Sequence, residues 1–302
     1  MAYLDTSTIR SLSSALSRLG TGHRTSAFAV VELLSEILDS DKEFRCRSAA
    51  IRALLGSPIS IEWNMPEVKI AQGFEYFRTH RRFEERRVPD LKLILEEVEG
   101  SRSREDLTKR LAKRPLTFGY EFFRAYDNRL SSGFIEATVS GHTQIRDGYE
   151  CSVEKGQIPR DVLLPDFLKH LRQSQPYLND AFTRYALVEV LSSLPGADVS
   201  DLDKAEVFDS YNGSLDVYVR AFSHSSNERA SSVSRPGRND AADLAHLLYL
   251  DVGSLFATGD IPLANLARTA GACVVTSVEL RRGIQANSGM QTDARKTRTA
   301  DA

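Results

Sequence analysis

The first forty residues alternate between short apolar runs and apolar positions at helical spacing. AYLDTSTI (2–9) opens on an apolar run that predicts a strand ending near Asp5, and SSALSRLG (13–20) predicts a helix. TSAFAVVELLSEIL (25–38) begins apolar and β-branched and then carries apolar residues at helical spacing. The order strand, helix, strand, helix is typical of a parallel sheet whose strands are joined by helices.

The middle of the chain carries a different pattern. From about residue 41 to 220, amphipathic segments bounded by Pro or Gly predict helices, and no run predicts a buried strand. The polar segment 225–239 predicts a loop. Beyond it, DLAHLLYL (243–250) predicts a helix, and SLFAT (254–258) and GACVVTSVEL (271–280) predict strands.

The α/β pattern therefore occupies both ends of the chain, with a helical block between them. The chain has 302 residues, enough for one large domain or two ordinary ones. We predict an α/β fold with a central parallel sheet, formed by residues 1–40 and 225–285 and interrupted by a mainly helical insertion at 41–224. Two separate domains are the alternative. The polar tail 286–302 is predicted to be disordered.

Composition says more about the cellular compartment of the protein than about its function. Lys plus Arg is 39 and Asp plus Glu is 41, and this balance neither requires nor excludes nucleic-acid binding. The three cysteines are far apart and show neither metal-ligand spacing nor a disulfide framework, which suits a reducing compartment. No apolar run reaches the length of a membrane span, and the N-terminus lacks a signal-peptide pattern. We therefore expect a cytoplasmic protein without membrane contact.

Four acidic residues stand where strands end or helices begin. They are Asp5 at the end of the first strand, Glu32 at the junction of the second strand and its helix, Asp243 at a helix start, and Asp260 after the strand 254–258. In an open parallel sheet such positions converge on one crevice. Several carboxylates at close range need cations to compensate their charge, and oxygen-only ligands suit Mg²⁺ or Mn²⁺. Such a cation can activate a water for attack on a phosphodiester.

These stretches together resemble the PIN-domain family of metal-dependent ribonucleases. The resemblance is carried by YLDTS (3–7), by SAFAVVEL (26–33) with a serine six positions before Glu32, by DLAHLLYL (243–250), and by ATGDIPLANLA (257–267). It covers about a third of the chain, residues 1–38 and 235–285. The chain departs from the family in one respect. Glu32 and Asp243 are 211 positions apart, whereas compact members hold these acids much closer.

The resemblance implies a three-layer α/β/α fold and a nuclease site. Its catalytic residues and its ligands to Mg²⁺ or Mn²⁺ would be Asp5, Glu32, Asp243 and Asp260, with Thr6, Ser7 and Thr258 orienting ligands or waters. It implies RNA as the substrate and products with 5′-phosphate and 3′-hydroxyl ends, and no feature separates RNA from single-stranded DNA. Because the family includes toxins of toxin–antitoxin pairs, it also allows an inhibitory partner, and a homodimer is a further expectation.

Some of these assignments have local alternatives. Asp240 lies three residues before Asp243 and is a competing third acid, although the helical phase of DLAHL favours Asp243. His246 lies one turn from Asp243, which permits a contact between them, but a half-buried helix histidine is the simpler interpretation. Arg235 and Arg238 precede the third acid and are candidates for contacts with the scissile strand.

Two other classes of function compete with an endoribonuclease. One is a catalytically inactive PIN-like module that binds nucleic acid or protein, in which the acids are structural. The other is a phosphatase or related metal-dependent hydrolase on a similar sheet. The latter is disfavoured because Thr6 and Ser7 follow Asp5, which leaves no Asp-x-Asp pair of the aspartyl-phosphate type. We favour the nuclease because all four acids are present.

Overall fold

The protein is an α/β protein built on a five-stranded sheet in which every strand pair is parallel, as described by a computed structural model. The structure describes residues 1–80, 87–126, 128, 143, 146–174, 176–192, 199–200, 203–232 and 240–284. Arg235, Arg238 and the predicted tail 286–302 lie outside the described residues.

The strands are short and lie in the spatial order β3-β2-β1-β4-β5. Their bounds are β1 Ala2–Leu4, β2 Arg24–Ser26, β3 Ser60–Glu62, β4 Leu255–Thr258 and β5 Cys273–Thr276. The labelled helices before the middle of the chain are α1 Thr6–Leu12, α2 Ala27–Ser35, α3 Asp41–Leu55, α4 Pro66–Gln72, α5 Glu75–His80, α6 Val88–Gly100, α7 Arg104–Leu111 and α8 Tyr120–Arg124. Those after it are α9 Leu164–Ser174, α10 Pro176–Ser192, α11 Asp203–Asp209, α12 Asp216–Ser232, α13 Asp240–Leu247 and α14 Ile261–Thr269. Residues 146–154 and 277–284 are also helical, and 16–18 form one 3₁₀ turn.

The order in which strands are added to the sheet reverses beside its central strand, β1. Strand β1 pairs with β2 on one side, where Tyr3 lies opposite Arg24, and with β4 on the other, where Tyr3 lies opposite Phe256. Because parallel crossovers are right-handed, helices that follow strands on the two sides of such a switch cover opposite faces. The arrangement is consistent with a three-layer α/β/α fold, and the crevice at the carboxyl ends of β1 and β4 is the expected ligand position.

Several elements differ from the sequence expectations in their bounds. An unpredicted helix begins at Thr6, where Asp5 caps it, and the predicted helix 13–20 is instead a turn followed by the 3₁₀ turn 16–18. Glu32 lies within α2, six residues beyond the end of β2, and not at the strand–helix junction. Helix α12 continues to Ser232, so the segment 225–239 is helical in its first half and position 225 is not a break between elements.

The predicted helical block contributes a strand to the sheet. Strand β3 pairs with β2 from Arg24↔Ser60 to Ser26↔Glu62, although no strand was expected between residues 41 and 220. Its three residues are only partly covered because β3 forms one edge of the sheet, so the sequence carries no apolar run there. The sheet therefore extends into the range first assigned to the insertion.

The residues that pack in the core around the central strands are apolar up to the ends of those strands. Tyr3, Leu4, Phe28 and Phe256 are fully buried or nearly so, and they belong to a continuous core that includes helices from both ends of the chain. The polar residues that immediately follow β1 and close β4 are buried as well, which places them at the floor of the crevice. Within the described residues, no helix combines the length and apolar character needed to span a membrane.

Candidate active site

Asp5 is the most firmly held of the predicted acids. It follows β1, is 3% exposed, and caps α1 by accepting a hydrogen bond from the Thr8 amide at 2.7 Å. The Ser7 hydroxyl lies 2.9 Å from both carboxylate oxygens, and Thr258 donates to Oδ2 at 2.6 Å. These donors fix the orientation of the carboxylate. Thr258 thereby joins the end of β4 to the acid at the end of β1.

Asp260 reaches the same crevice from β4. It caps α14, where its Oδ1 accepts from the Leu263 amide at 2.7 Å, and its own amide donates to the Thr258 hydroxyl at 3.0 Å. One Asp260 oxygen is thus used locally as a cap. The Thr258 hydroxyl links Asp260 to Asp5 by two successive hydrogen bonds.

The Glu32 carboxylate is bound by residues from two other elements. Thr6, at the start of α1, donates to Glu32 Oε2, and the same oxygen lies 2.7 Å from His246 Nε2. Arg47 does not pair with this carboxylate but donates to the Glu32 backbone carbonyl at 2.6 Å. Arg24, the basic residue at the start of β2, lies near Glu62 at 3.6 Å.

His246 is a buried member of the site and not a half-buried helix histidine. It is 3% exposed, and its Nδ1 lies 2.8 Å from the Tyr3 hydroxyl, which is 2.7 Å from Ser26 Oγ. Burial lowers the pKa of His246, but the charges of Glu32, Asp5 and Asp243 outweigh it and raise the pKa above the ordinary value of 6.5. The chain of contacts runs from Ser26 through Tyr3 and His246 to Glu32. Sequence analysis placed His246 near Asp243 and missed Tyr3, because the partners are far apart along the chain.

Asp243 differs from the other acids in its surroundings. Among the described residues, the Asp243 carboxylate makes no hydrogen bond or ion pair. Burial, together with the charges of Asp260, Glu32 and Asp240, raises its pKa to about 7, and His246 opposes this only in part. Asp243 is therefore a partly buried acid among like charges, without a compensating donor.

Asp240 has a structural partner that Asp243 lacks. Its Oδ2 lies 2.5 Å from a guanidinium nitrogen of Arg229 on α12. The ion pair ties the start of α13 to the neighbouring helix and compensates the Asp240 charge. This favours Asp243 as the third acid of the crevice.

The turn after β4 brings a further hydroxyl into the site. The Gly259 amide donates to Ser7 Oγ at 2.9 Å, and a side chain at position 259 would begin 3.1 Å from that oxygen. The Ser7 hydroxyl is thus held between the β4 turn and the Asp5 carboxylate. Ser277, which follows β5, also lies beside this turn.

The acids suit a divalent cation by their chemistry, since all are oxygen donors and Asp243 is uncompensated. In the part of the chain that the structure describes, however, no three His, Cys, Asp or Glu side chains are placed together as a metal site. Asp5 and Glu32 are held by hydroxyl and imidazole groups. Holding one cation between them would therefore require these side chains to reorient.

Comparison of the chain with protein-family models, with curated proteins and with solved structures found no match. The crevice is therefore the basis for assigning a function. There Thr258 links Asp5 to Asp260, and the charges of Glu32 and Asp260 act on Asp243. Thr6 is bonded to Glu32 and Ser7 to Asp5.

Proposed function

We propose that the protein is a PIN-like, metal-dependent nuclease that cleaves RNA. Its catalytic acids and its ligands to Mg²⁺ or Mn²⁺ are Asp5, Glu32, Asp243 and Asp260. The observation that carries the proposal is the environment of Asp243 near the switch point of a parallel sheet. Among the described residues its carboxyl group has no hydrogen-bond donor, and it lies near the charges of Asp260, Glu32 and Asp240. Perturbed acids in a crevice of this kind are typical of functional sites, because folding alone gains nothing from them.

The protein residues have separable roles in this proposal. Ser7 and Thr258 hold the Asp5 carboxylate, while Thr6 and His246 hold that of Glu32. A divalent cation bound by the acids would activate a water and neutralise charge on the phosphate that is attacked. Asp243, which has no donor within the described residues, is the acid most in need of that positive charge.

The test is cleavage of labelled tRNA, structured RNA, single-stranded RNA and single-stranded DNA with Mn²⁺. Wild type is compared with Asp5→Asn and Asp260→Asn, and circular dichroism checks the fold of each protein. We expect wild type to cleave an RNA and both folded variants to lose at least 100-fold in rate, on the order expected for a lost catalytic group. Equal cleavage by all three proteins would exclude this site.

A catalytically inactive nucleic-acid-binding module is the second candidate. It is favoured by the hydrogen bonds that already engage Asp5 and Glu32, and by the lack of a grouped metal site within the described ranges. Binding of RNA by wild type without cleavage under any metal would support it. An inhibitory partner, a homodimer and a cytoplasmic location stay predictions.

A further inference from the structure

A basic groove adjoins the acids on the side of α1 and α3. It has a volume of about 640 Å³, within the range of about 300–1,000 Å³ typical of ligand sites, and it is open to solvent. Ser7, Arg10 and Ser11 on α1 line one part of it. Arg45 and Cys46 on α3 line another part, and both are exposed. The groove is thus walled by the two helices that follow β1 and α2.

The charge of the groove is positive. Arg45 has no ion pair within the described chain, and Arg10 lies 3.9 Å from Glu43. Glu43 also accepts a hydrogen bond from Arg47 Nε at 2.7 Å, and the same guanidinium pairs with Glu36. The two charged residues that line the groove itself, Arg10 and Arg45, are both cationic. Arg281 adds a third guanidinium at this end of the molecule, where it donates to the Ser11 carbonyl.

The groove joins the acidic crevice through one residue. Ser7 lines the groove, and its hydroxyl is bonded to Asp5 and to the Gly259 amide. An acidic cluster alone repels a polyanion, so a chain that cuts nucleic acid needs positive charge beside the acids. Arginine is suited to this task because its fork of N–H groups matches phosphate oxygens.

We infer that this groove binds the backbone phosphates of single-stranded nucleic acid next to the bond that is cut, with Arg10 and Arg45 as the principal contacts. The inference rests on the proposed function. The groove is a second binding surface, formed by residues far in sequence from the predicted contacts Arg235 and Arg238. The shared chemistry is the phosphodiester backbone, which RNA and single-stranded DNA both carry.

The first test is binding of a fluorescein-labelled single-stranded RNA, measured by anisotropy in EDTA so that no cleavage is needed. The proteins are wild type, the double variant Arg10→Ala/Arg45→Ala, and Arg160→Ala, which removes an exposed arginine that does not line the groove. We expect the double variant to bind on the order of tenfold more weakly in 0.1 M salt. Its plot of log affinity against log salt should be shallower by about 1.4, from two lost phosphate contacts.

The outcomes of this test are distinct from those of the cleavage test. Three results would overturn the inference that the groove binds nucleic acid. They are unchanged binding by the double variant, equally weakened binding by the Arg160 control, and no binding by wild type. A loss of binding specific to the double variant would support it, even if no cleavage is ever found. The same oligonucleotide as single-stranded DNA shows whether the 2′-hydroxyl contributes, because a backbone site alone binds both.

Cys46 gives a second readout that reports position. Cys46, Cys151 and Cys273 are all exposed and are the three cysteines of the chain. In Cys151→Ser/Cys273→Ser protein, Cys46 is the single thiol, and its alkylation rate by a maleimide can be followed directly. Saturating RNA should slow this rate at least fivefold. An unchanged rate with RNA bound would place the RNA elsewhere and overturn the inference.

Discussion

Replacing Asp243 with asparagine removes a charge that folding places among other carboxylates. The pKa of Asp243 is about 7 in the folded protein against an ordinary value of 3.8. Between these values the folded state binds a proton that the unfolded state has released, so stability falls as pH rises through this window. Asparagine does not ionise and avoids the loss. The variant should therefore be more stable than wild type at pH 8 in the absence of metal.

The expected gain follows from the pKa. The interval from 3.8 to about 7, at about 1.4 kcal/mol per pKa unit, corresponds to roughly 4 kcal/mol well above neutrality. Partial exposure of the side chain and rearrangement of its neighbours reduce this value. We expect Asp243→Asn to raise the free energy of unfolding by about 2–4 kcal/mol at pH 8 and by about 1 kcal/mol at pH 4.5.

Urea unfolding in EDTA, followed by circular dichroism at both pH values, measures the difference. Asp240→Asn is the matched control, because its carboxylate pairs with Arg229 and its loss should give no gain. Excess Mn²⁺ should stabilise wild type and act less on Asp243→Asn, since a ligand stabilises the state that binds it. A gain of equal size at both pH values, or a loss at pH 8, would refute the assignment of Asp243 as a desolvated acid among like charges.

Three further variants test the surroundings of the acids. Arg47→Ala should lower the free energy of unfolding by about 3 kcal/mol in urea denaturation, because it removes a buried guanidinium that bonds the Glu32 carbonyl and the partly exposed Glu43 carboxylate. Full stability would show the contacts to be dispensable. His246→Ala should cost about 2–4 kcal/mol, because it opens a cavity and removes one of the hydrogen-bond partners of Tyr3 and one of those of Glu32. A melting temperature within 1 °C of wild type would contradict this. Gly259→Ala should keep the melting temperature but slow RNA cleavage about tenfold, because the new methyl group displaces the nearby serine hydroxyl; unchanged cleavage would dissociate that hydroxyl from catalysis.

The sequence was informative where a buried strand and a helix cap coincide. β1, β4 and β5 were predicted because each strand is a short apolar run followed by a polar residue. The same polar residues, Asp5 and Thr258, proved to be the floor of the crevice. Local pattern therefore located the residues at the ends of β1 and β4 that line the crevice, since the strand ends carry the polar residues.

Strand β3 has a local pattern of another kind. ISIEW (59–63) alternates apolar and polar residues, which is typical of a half-exposed edge strand and differs from the continuous apolar runs of the buried strands. Other features depend on contacts that no local pattern encodes. The partnership of His246 with Tyr3 and Glu32 joins residues more than 200 positions apart. The ion pair of Arg229 with Asp240, which distinguishes Asp240 from Asp243 as candidates for the third acid, also depends on tertiary packing. Side-chain pairs of this kind follow from the fold and cannot be assigned before it.

The pairing of β1 with β4 also determines when the sheet can form during translation. Ala2 lies opposite Leu255, so β1 must wait for a neighbour made about 250 residues later. At roughly 5–20 residues per second this delay is roughly 12–50 s, during which one edge of β1 is unpaired. Asp260 follows β4 and arrives later still. A nascent chain therefore cannot assemble the full set of acids until Asp260 has left the ribosome, and the proposed nuclease would stay inactive until then.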